Sequence, residues 1–278
     1  MSDDQRGTSR PAEAGSPVQR RSVIAGAALA AGAAGTALAQ GTLAQGTTAS
    51  PGTPPAATAA SSPAGAGSRL LTPESAAILL VDHQPAVAFP IQSIDRRELV
   101  NNSVALTKTA RAFGMPLVLS TIREDSSGPL FAEILAAAGD TPVVKRPAKR
   151  NAFSDPNFVR AVEATGRRKL VMAGLWTEVC LALTTTSALE AGYQVYAVVD
   201  ASGGTTKEAH DLAVMRMVQA GAVPVTWLQV NRELLDASQT PEHTAAIREI
   251  DKAHAGALGL LWELNEVAAL KAAAGSSG

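Results

Sequence analysis

Ala76-Ala77-Ile78-Leu79-Leu80-Val81 is an unbroken apolar run, ended at once by Asp82. A strand with one wet face alternates apolar and polar residues. A run that never alternates must be covered on both faces, as in the centre of a parallel sheet. Similar short segments recur at Pro116–Ser120, Pro142–Val144, Lys169–Gly174, Gln194–Val199 and Val223–Trp227. Helix-length stretches separate them. Asp95 can cap a helix to about Phe113, with Leu99, Leu106, Ala110 and Phe113 on one side and Ser103 interrupting the stripe. A short helix is expected over 129–138, and another starts at Ser154, followed by Asp155-Pro156. Helices over Thr177–Ala191 and Thr205–Ala220 are closed by Gly192 and Gly221. Strands joined by single helices imply right-handed crossovers and a parallel sheet. Six of them predict an α/β fold, a Rossmann-like doubly wound sandwich with its site at the carboxyl ends of the strands.

This pattern occupies only part of the 278 residues. From Ser22 to Ser68 the chain carries no charge over 47 positions. Arg20-Arg21, the weakly apolar run behind them and Ala37-Leu38-Ala39 have the three parts of an export signal over residues 1–39. The paired arginines resemble a twin-arginine signal, so the precursor is expected to meet the Tat export machinery. The mature protein would then be periplasmic or secreted, and an uncleaved signal would instead anchor it to the membrane. Residues 40–68, rich in Gly, Ala, Ser, Thr and Pro, read as a disordered linker. The α/β domain is expected over 69–235 and a C-terminal helical extension over 236–278. In that extension Thr240-Pro241-Glu242 starts a helix toward Leu270, whose irregular stripe of Ile247, Ile250, Ala253, Leu258, Leu261 and Leu264 could cover a neighbouring subunit.

Composition excludes several functions. A net charge of −1 argues against nucleic acid as a partner. One cysteine permits no internal disulfide or multi-cysteine metal site, and the four histidines lack metal-ligand spacing, so no metal is expected. Asp82-His83-Gln84-Pro85 stands where a dinucleotide-binding fold has its glycines. No P-loop or serine-hydrolase elbow is present either, and no cofactor is expected.

Three residues at strand ends can carry chemistry. Asp82 ends the first strand, Arg146 the third, and Cys180 lies in the first turn of the helix after the fourth. If Thr177 caps that helix, Cys180 faces free backbone N–H groups, which favours its thiolate. A carboxylate could take the thiol proton, and a fixed cation could orient the carboxylate. Taken singly, each has a structural reading: a core cysteine, a turn-forming Asp, a surface Arg.

Gly174-Leu175-Trp176-Thr177-Glu178-Val179-Cys180 matches the G-x-x-T-x-x-C segment of the isochorismatase-like cysteine hydrolases. Ile78–Gln84, Asn151-Ala152-Phe153 and Val198–Gly203 are similar to other segments of that superfamily, and the likeness is strongest to its YcaC-like branch. The resemblance implies a Rossmann-like fold and a catalytic triad of Asp82, Arg146 and Cys180. Most of the superfamily has Lys at the second position, while the YcaC-like branch resembles this chain in having Arg. Lys145 should face the other side of its strand, and Lys149 lies beyond Pro147. Ser120–Asp125 contains no histidine, unlike the metal-binding segment of nicotinamidases.

The resemblance further implies a cis peptide at Leu175–Trp176 and an oxyanion site at the backbone N–H groups of Trp176 and Cys180. It implies hydrolysis of a small-molecule amide or carbamoyl substrate through a thioester, in a homo-oligomer. Pro85, Phe89, Phe153 and Trp176 are the candidate pocket residues, Phe89 and Phe153 being equally readable as core or subunit-interface residues, and His83 is expected to be a packed neutral histidine. The rival reading from another class is a catalytically silent member that binds a small molecule or organises an oligomer. A thiol redox sensor is a third, weakened by the absence of a second cysteine.

Overall fold

The computed structural model describes residues 68–275. The expected export signal and all but the last residue of the linker lie outside them. Six parallel strands form one sheet in the order β3-β2-β1-β4-β5-β6: β1 Ala76–Val81, β2 Leu117–Ile122, β3 Val143–Arg146, β4 Lys169–Gly174, β5 Gln194–Val198 and β6 Val223–Val225. The helices are α1 Pro85–Ala88, α2 Arg96–Ala112, α3 Glu124–Ser127, α4 Ala132–Ala138 and α5 Pro156–Ala164. After them come α6 Ala182–Glu190, α7 Lys207–Gln219, α8 Trp227–Ala237, α9 Pro241–His254 and α10 Ala257–Gly275.

Every residue of β1 is fully buried, as its unbroken apolar run requires. Ile78 and Leu80 join one core with Leu99 and Leu106 of α2, Ile134 of α4, Val230 and Leu234 of α8 and Ile247 of α9. Ala77, Leu79 and Val81 join the other, with Phe158 and Val162 of α5, Ala188 of α6 and Met217 of α7. Burial of each Leu or Ile contributes about 1.5–3 kcal/mol, so both faces hold this strand central. Ser103, which interrupts the stripe of α2, donates its hydroxyl to the Leu99 carbonyl at 2.8 Å; Thr107 and Thr109 likewise donate four residues back. Those hydroxyls are buried without being orphaned.

Strand order reverses between β1 and β4, because the chain goes from β1 outward to β2 and β3 and then returns. The carboxyl ends of these two strands diverge into the crevice where such folds place ligands.

Several boundaries differ from expectation. Asp155, not Ser154, caps α5, its carboxylate accepting from the N–H groups of Asn157 and Phe158. α7 starts at Lys207 behind Thr206, whose hydroxyl oxygen caps it. The last strand ends at Val225, because Thr226 caps α8 and Trp227 opens it. The C-terminal extension is two helices: the chain turns at Gly256, at φ 53°, between α9 and α10. The short helices α1 and α3 carry no periodic signal and were not foreseen.

Candidate active site

Asp82 leaves β1 with a left-handed backbone, φ 64°, a conformation a non-glycine residue adopts only when its surroundings enforce it. Its N–H donates to the Ser120 carbonyl at 3.0 Å, and its carbonyl accepts from the N–H of Gln84 at 2.7 Å. The next two side chains lock this turn. His83, fully buried, donates Nε2–H to the Ala201 carbonyl at 2.9 Å. Burial lowers its pKa from 6.5 to about 4, so it is the packed neutral histidine expected. Gln84 donates to the carbonyls of Ile122 and Gly128 at 3.1 and 2.6 Å and accepts from the Ile122 N–H at 2.8 Å. Asp82 is thereby fastened to the ends of both β2 and β5.

Arg146 and Lys145 face opposite sides of β3, as strand alternation requires. Lys145 is exposed and pairs with Glu124 at 2.9 Å. Arg146 is enclosed and reaches across β2, which separates its strand from β1. Its Nη2 lies 2.6 Å from each Asp82 oxygen, and its Nη1 donates to the Lys149 carbonyl at 2.8 Å. Both side chains of the ion pair have no solvent exposure. The guanidinium carbon lies 5.8 Å from the centre of the Phe158 ring.

Cys180 enters from β4. A cis peptide joins Leu175 to Trp176, as the resemblance implied, and Thr177–Leu181 forms a single π-helical turn ahead of α6. Thr177 does not cap this turn. Its N–H donates to the Gly203 carbonyl at 2.9 Å, and its hydroxyl pairs with His210 Nδ1 at 2.8 Å. The Cys180 thiol meets the Asp82 carboxylate, and this overturns the expectation of a resting thiolate. Burial pushes the thiol pKa up, and the Asp82 charge pushes it further; Arg146 and a backbone hydrogen bond with Trp176 oppose them without prevailing. Burial also raises the Asp82 carboxyl, against the lowering effects of Arg146 and the thiol. Burial and the Asp82 charge thus favour the thiol over the thiolate, beside a carboxylate able to accept its proton.

The pocket residues fare unequally. Trp176 is half-buried, and its indole Nε1–H donates to the Val87 carbonyl at 2.7 Å, tying α1 to the cysteine turn. Pro85 opens α1 and is exposed. Phe89 is 75% exposed, so in the single chain it encloses nothing; Arg96 covers its ring at 5.8 Å. Phe153 packs edge-on against Phe158 and Tyr193, with centroids 5.8 and 5.7 Å away. Tyr193 precedes β5, and Phe153 is partly buried against the core that contains Phe158.

Glu178 and Ser202, which flank the site, make hydrogen bonds within the fold. Glu178 Oε1 accepts from the N–H and hydroxyl of Thr205 at 3.0 and 2.7 Å. Ser202 accepts from the Gly174 N–H and donates to the Val198 carbonyl, at 3.1 and 2.7 Å. A clamp missed by sequence reasoning lies beside them. Gly203 packs so tightly that a Cβ would fall 2.7 Å from Ile91, and one on Gly204 would fall 2.8 Å from Glu178. The adjacent glycines were the visible signal. Among the described residues no cluster of His, Cys, Asp and Glu could hold a metal.

Residues 76–229 match the Isochorismatase domain. The chain belongs to the isochorismatase family of hydrolases. It is 41% identical over 165 residues to the Escherichia coli protein named "Probable hydrolase YcaC", covering 59% of this chain and 79% of that one. The crystal structure of E. coli YcaC, described as an octameric hydrolase of unknown specificity, superposes with a TM-score of 0.69 at 35% identity, covering 73% of this chain and 98% of that one. YcaC from Pseudomonas aeruginosa, solved with hexane-2,5-diol and covalent acrylamide, gives 0.68 at 36% identity, covering 71% and 98%. The family and its YcaC-like branch are therefore those the sequence motifs resembled.

Proposed function

We propose that this family member is a cysteine hydrolase that cleaves the C–N bond of a small amide or carbamoyl compound through a thioester. The observation that carries the reading is the enclosed Arg146–Asp82–Cys180 constellation at the switch point of the sheet. As sulfur attacks the carbonyl carbon, Asp82 takes the thiol proton. Backbone N–H groups at Trp176 and Cys180 receive the oxyanion. The tetrahedral adduct collapses, the C–N bond breaks, and Asp82 returns the proton to the departing nitrogen. Water then attacks the thioester, losing a proton to Asp82, and its collapse frees the acid and restores the thiol. Arg146, always charged, holds the carboxylate in place and balances the negative charge as it moves from Asp82 to sulfur or oxygen. The P. aeruginosa relative was solved with covalent acrylamide, itself a small amide, which supports the reading.

The test is ammonia release from a panel of small primary amides and carbamoyl compounds. Wild type is expected to turn over at least one of them, and Cys180→Ser none. A Cys180→Ala protein that keeps every activity of wild type would instead favour the silent, ligand-binding member.

We also infer export of the precursor through the twin-arginine route, from the leader sequence, with signal cleavage after Ala39 as its test. Homo-oligomerisation is the matching inference from the octameric relative, tested by light scattering.

A further inference from the structure

The charges inside the site form a closed account. Among the described residues Arg146 is the one cation whose side chain is enclosed with the thiol, and its charge is matched by Asp82. Nη2 is on Asp82, Nη1 on the Lys149 carbonyl, and Nε is sealed from solvent without a partner. Asp82 is the matching anion, and His83 beside it is a neutral side chain bonded to a carbonyl. At rest the cluster therefore sums to zero.

Attack leaves that sum unchanged. The Asp82 proton gain and the new charge on sulfur, and then on the oxyanion, cancel, so one guanidinium balances one negative charge throughout. A substrate carrying its own carboxylate would add a second negative charge with no enclosed partner, and an unpaired buried ion is expensive.

The other cations at the ends of β2 and β3 lie outside. Arg123, Lys145, Lys149 and Arg150 are all exposed. Lys145 is paired with Glu124, Lys149 Nζ reaches the Ser154 carbonyl at 3.4 Å, and Arg123 Nε donates to Ser126 Oγ at 3.1 Å. Such charges attract anions from a distance, but salt screens them beyond about 10 Å at 0.1 M.

We propose that the site is selective for substrates uncharged around the reacting carbonyl, such as neutral amides, ureas and carbamates, and rejects carboxylates. Isochorismate, a dicarboxylate, falls outside that class despite the family name. The inference rests on the cysteine-hydrolase reading above.

The single cysteine allows a test without knowing the substrate. Iodoacetamide and iodoacetate alkylate a thiol by the same displacement: the S–C bond forms, iodide leaves, and the thiol proton is lost. One reagent is neutral and the other a carboxylate. Rates at Cys180 are followed by intact mass on the full chain, folded and in urea, at low salt and at 0.5 M NaCl. The iodoacetamide-to-iodoacetate rate ratio is expected to be at least tenfold higher in the folded protein than in the unfolded one. It should grow with salt as the outer cations are screened. A folded ratio equal to or below the unfolded value at 0.5 M NaCl overturns the selectivity while leaving a reactive, hydrolase-competent thiol. Failure of both reagents to label folded Cys180 would instead overturn the hydrolase reading, and this inference with it.

Discussion

Asp82 and Asp200 both follow an apolar strand, yet the fold uses them in opposite ways. Asp82 ends β1 at the switch point, left-handed, enclosed, and in contact with a guanidinium and a thiol. Asp200 follows β5 farther out, and its carboxylate accepts the Trp227 N–H at 2.9 Å, at the start of α8. Burial raises its pKa from 3.8 to about 6, with backbone hydrogen bonds opposing. A carboxylate becomes chemical equipment where neighbouring strands supply a cation and a nucleophile. Where they supply only a helix end, it remains a cap with an electrostatic penalty.

Asp82→Asn and Asp200→Asn should therefore act with opposite sign. Asp82→Asn strands the buried Arg146 charge and is expected to cost about 3–5 kcal/mol in urea unfolding. It should abolish hydrolysis while making Cys180 easier to ionise, since the Asp82 charge holds the thiol up. A thiol titrating unchanged in this variant would break the proposed coupling. Arg146→Lys keeps the charge but loses the fork that joins Asp82 to the Lys149 carbonyl, with an expected loss of about 1–3 kcal/mol. Gly203→Ala, which forces a Cβ against Ile91, should cost a similar 1–3 kcal/mol or so by overpacking the clamp, read by thermal unfolding.

The smallest effect is expected at Asp200. Its folded pKa lies above the unfolded value, so its ionisation lowers stability as pH rises from 3.8 to about 6. Asp200→Asn should accordingly stabilise the protein by about 1–2 kcal/mol at pH 7, a gain that disappears near pH 4. His83 works the other way. Its folded pKa of about 4 lies below 6.5, so stability rises with pH across that window. Removing the Asp200 carboxylate should unmask the rise, which denaturant curves at pH 4.5 and 7 would read. An Asp200→Asn protein no more stable at pH 7 than wild type would remove the contrast between the two aspartates.

Much of the site was legible because its residues sit where periodicity stops. Asp82 and Arg146 end apolar runs, and Cys180 is the lone cysteine in a G-x-x-T-x-x-C segment. Strand alternation alone put Arg146 on the inner face and Lys145 outside. The pocket aromatics were less legible. Apolar character states that a ring prefers burial, not which neighbours it packs against, so Phe153 went toward Tyr193 and Phe89 stayed exposed. Glu178 holds Thr205, a partner 27 positions away that no local pattern signals.

By itself the sequence determined the six-strand order of elements, the face each strand residue takes, and which chemical groups are available. These follow from local rules: backbone sterics, period-two alternation and the cost of exposing apolar surface. Only the tertiary structure decided the protonation state of the cysteine. A helix start predicts a lowered thiol pKa, yet desolvation and the Asp82 charge outweigh it, and that charge comes from a residue nearly a hundred positions upstream folded against the turn. Electrostatic energies depend on distance and dielectric, and neither is set until β1, β3 and β4 deliver their ends to one crevice.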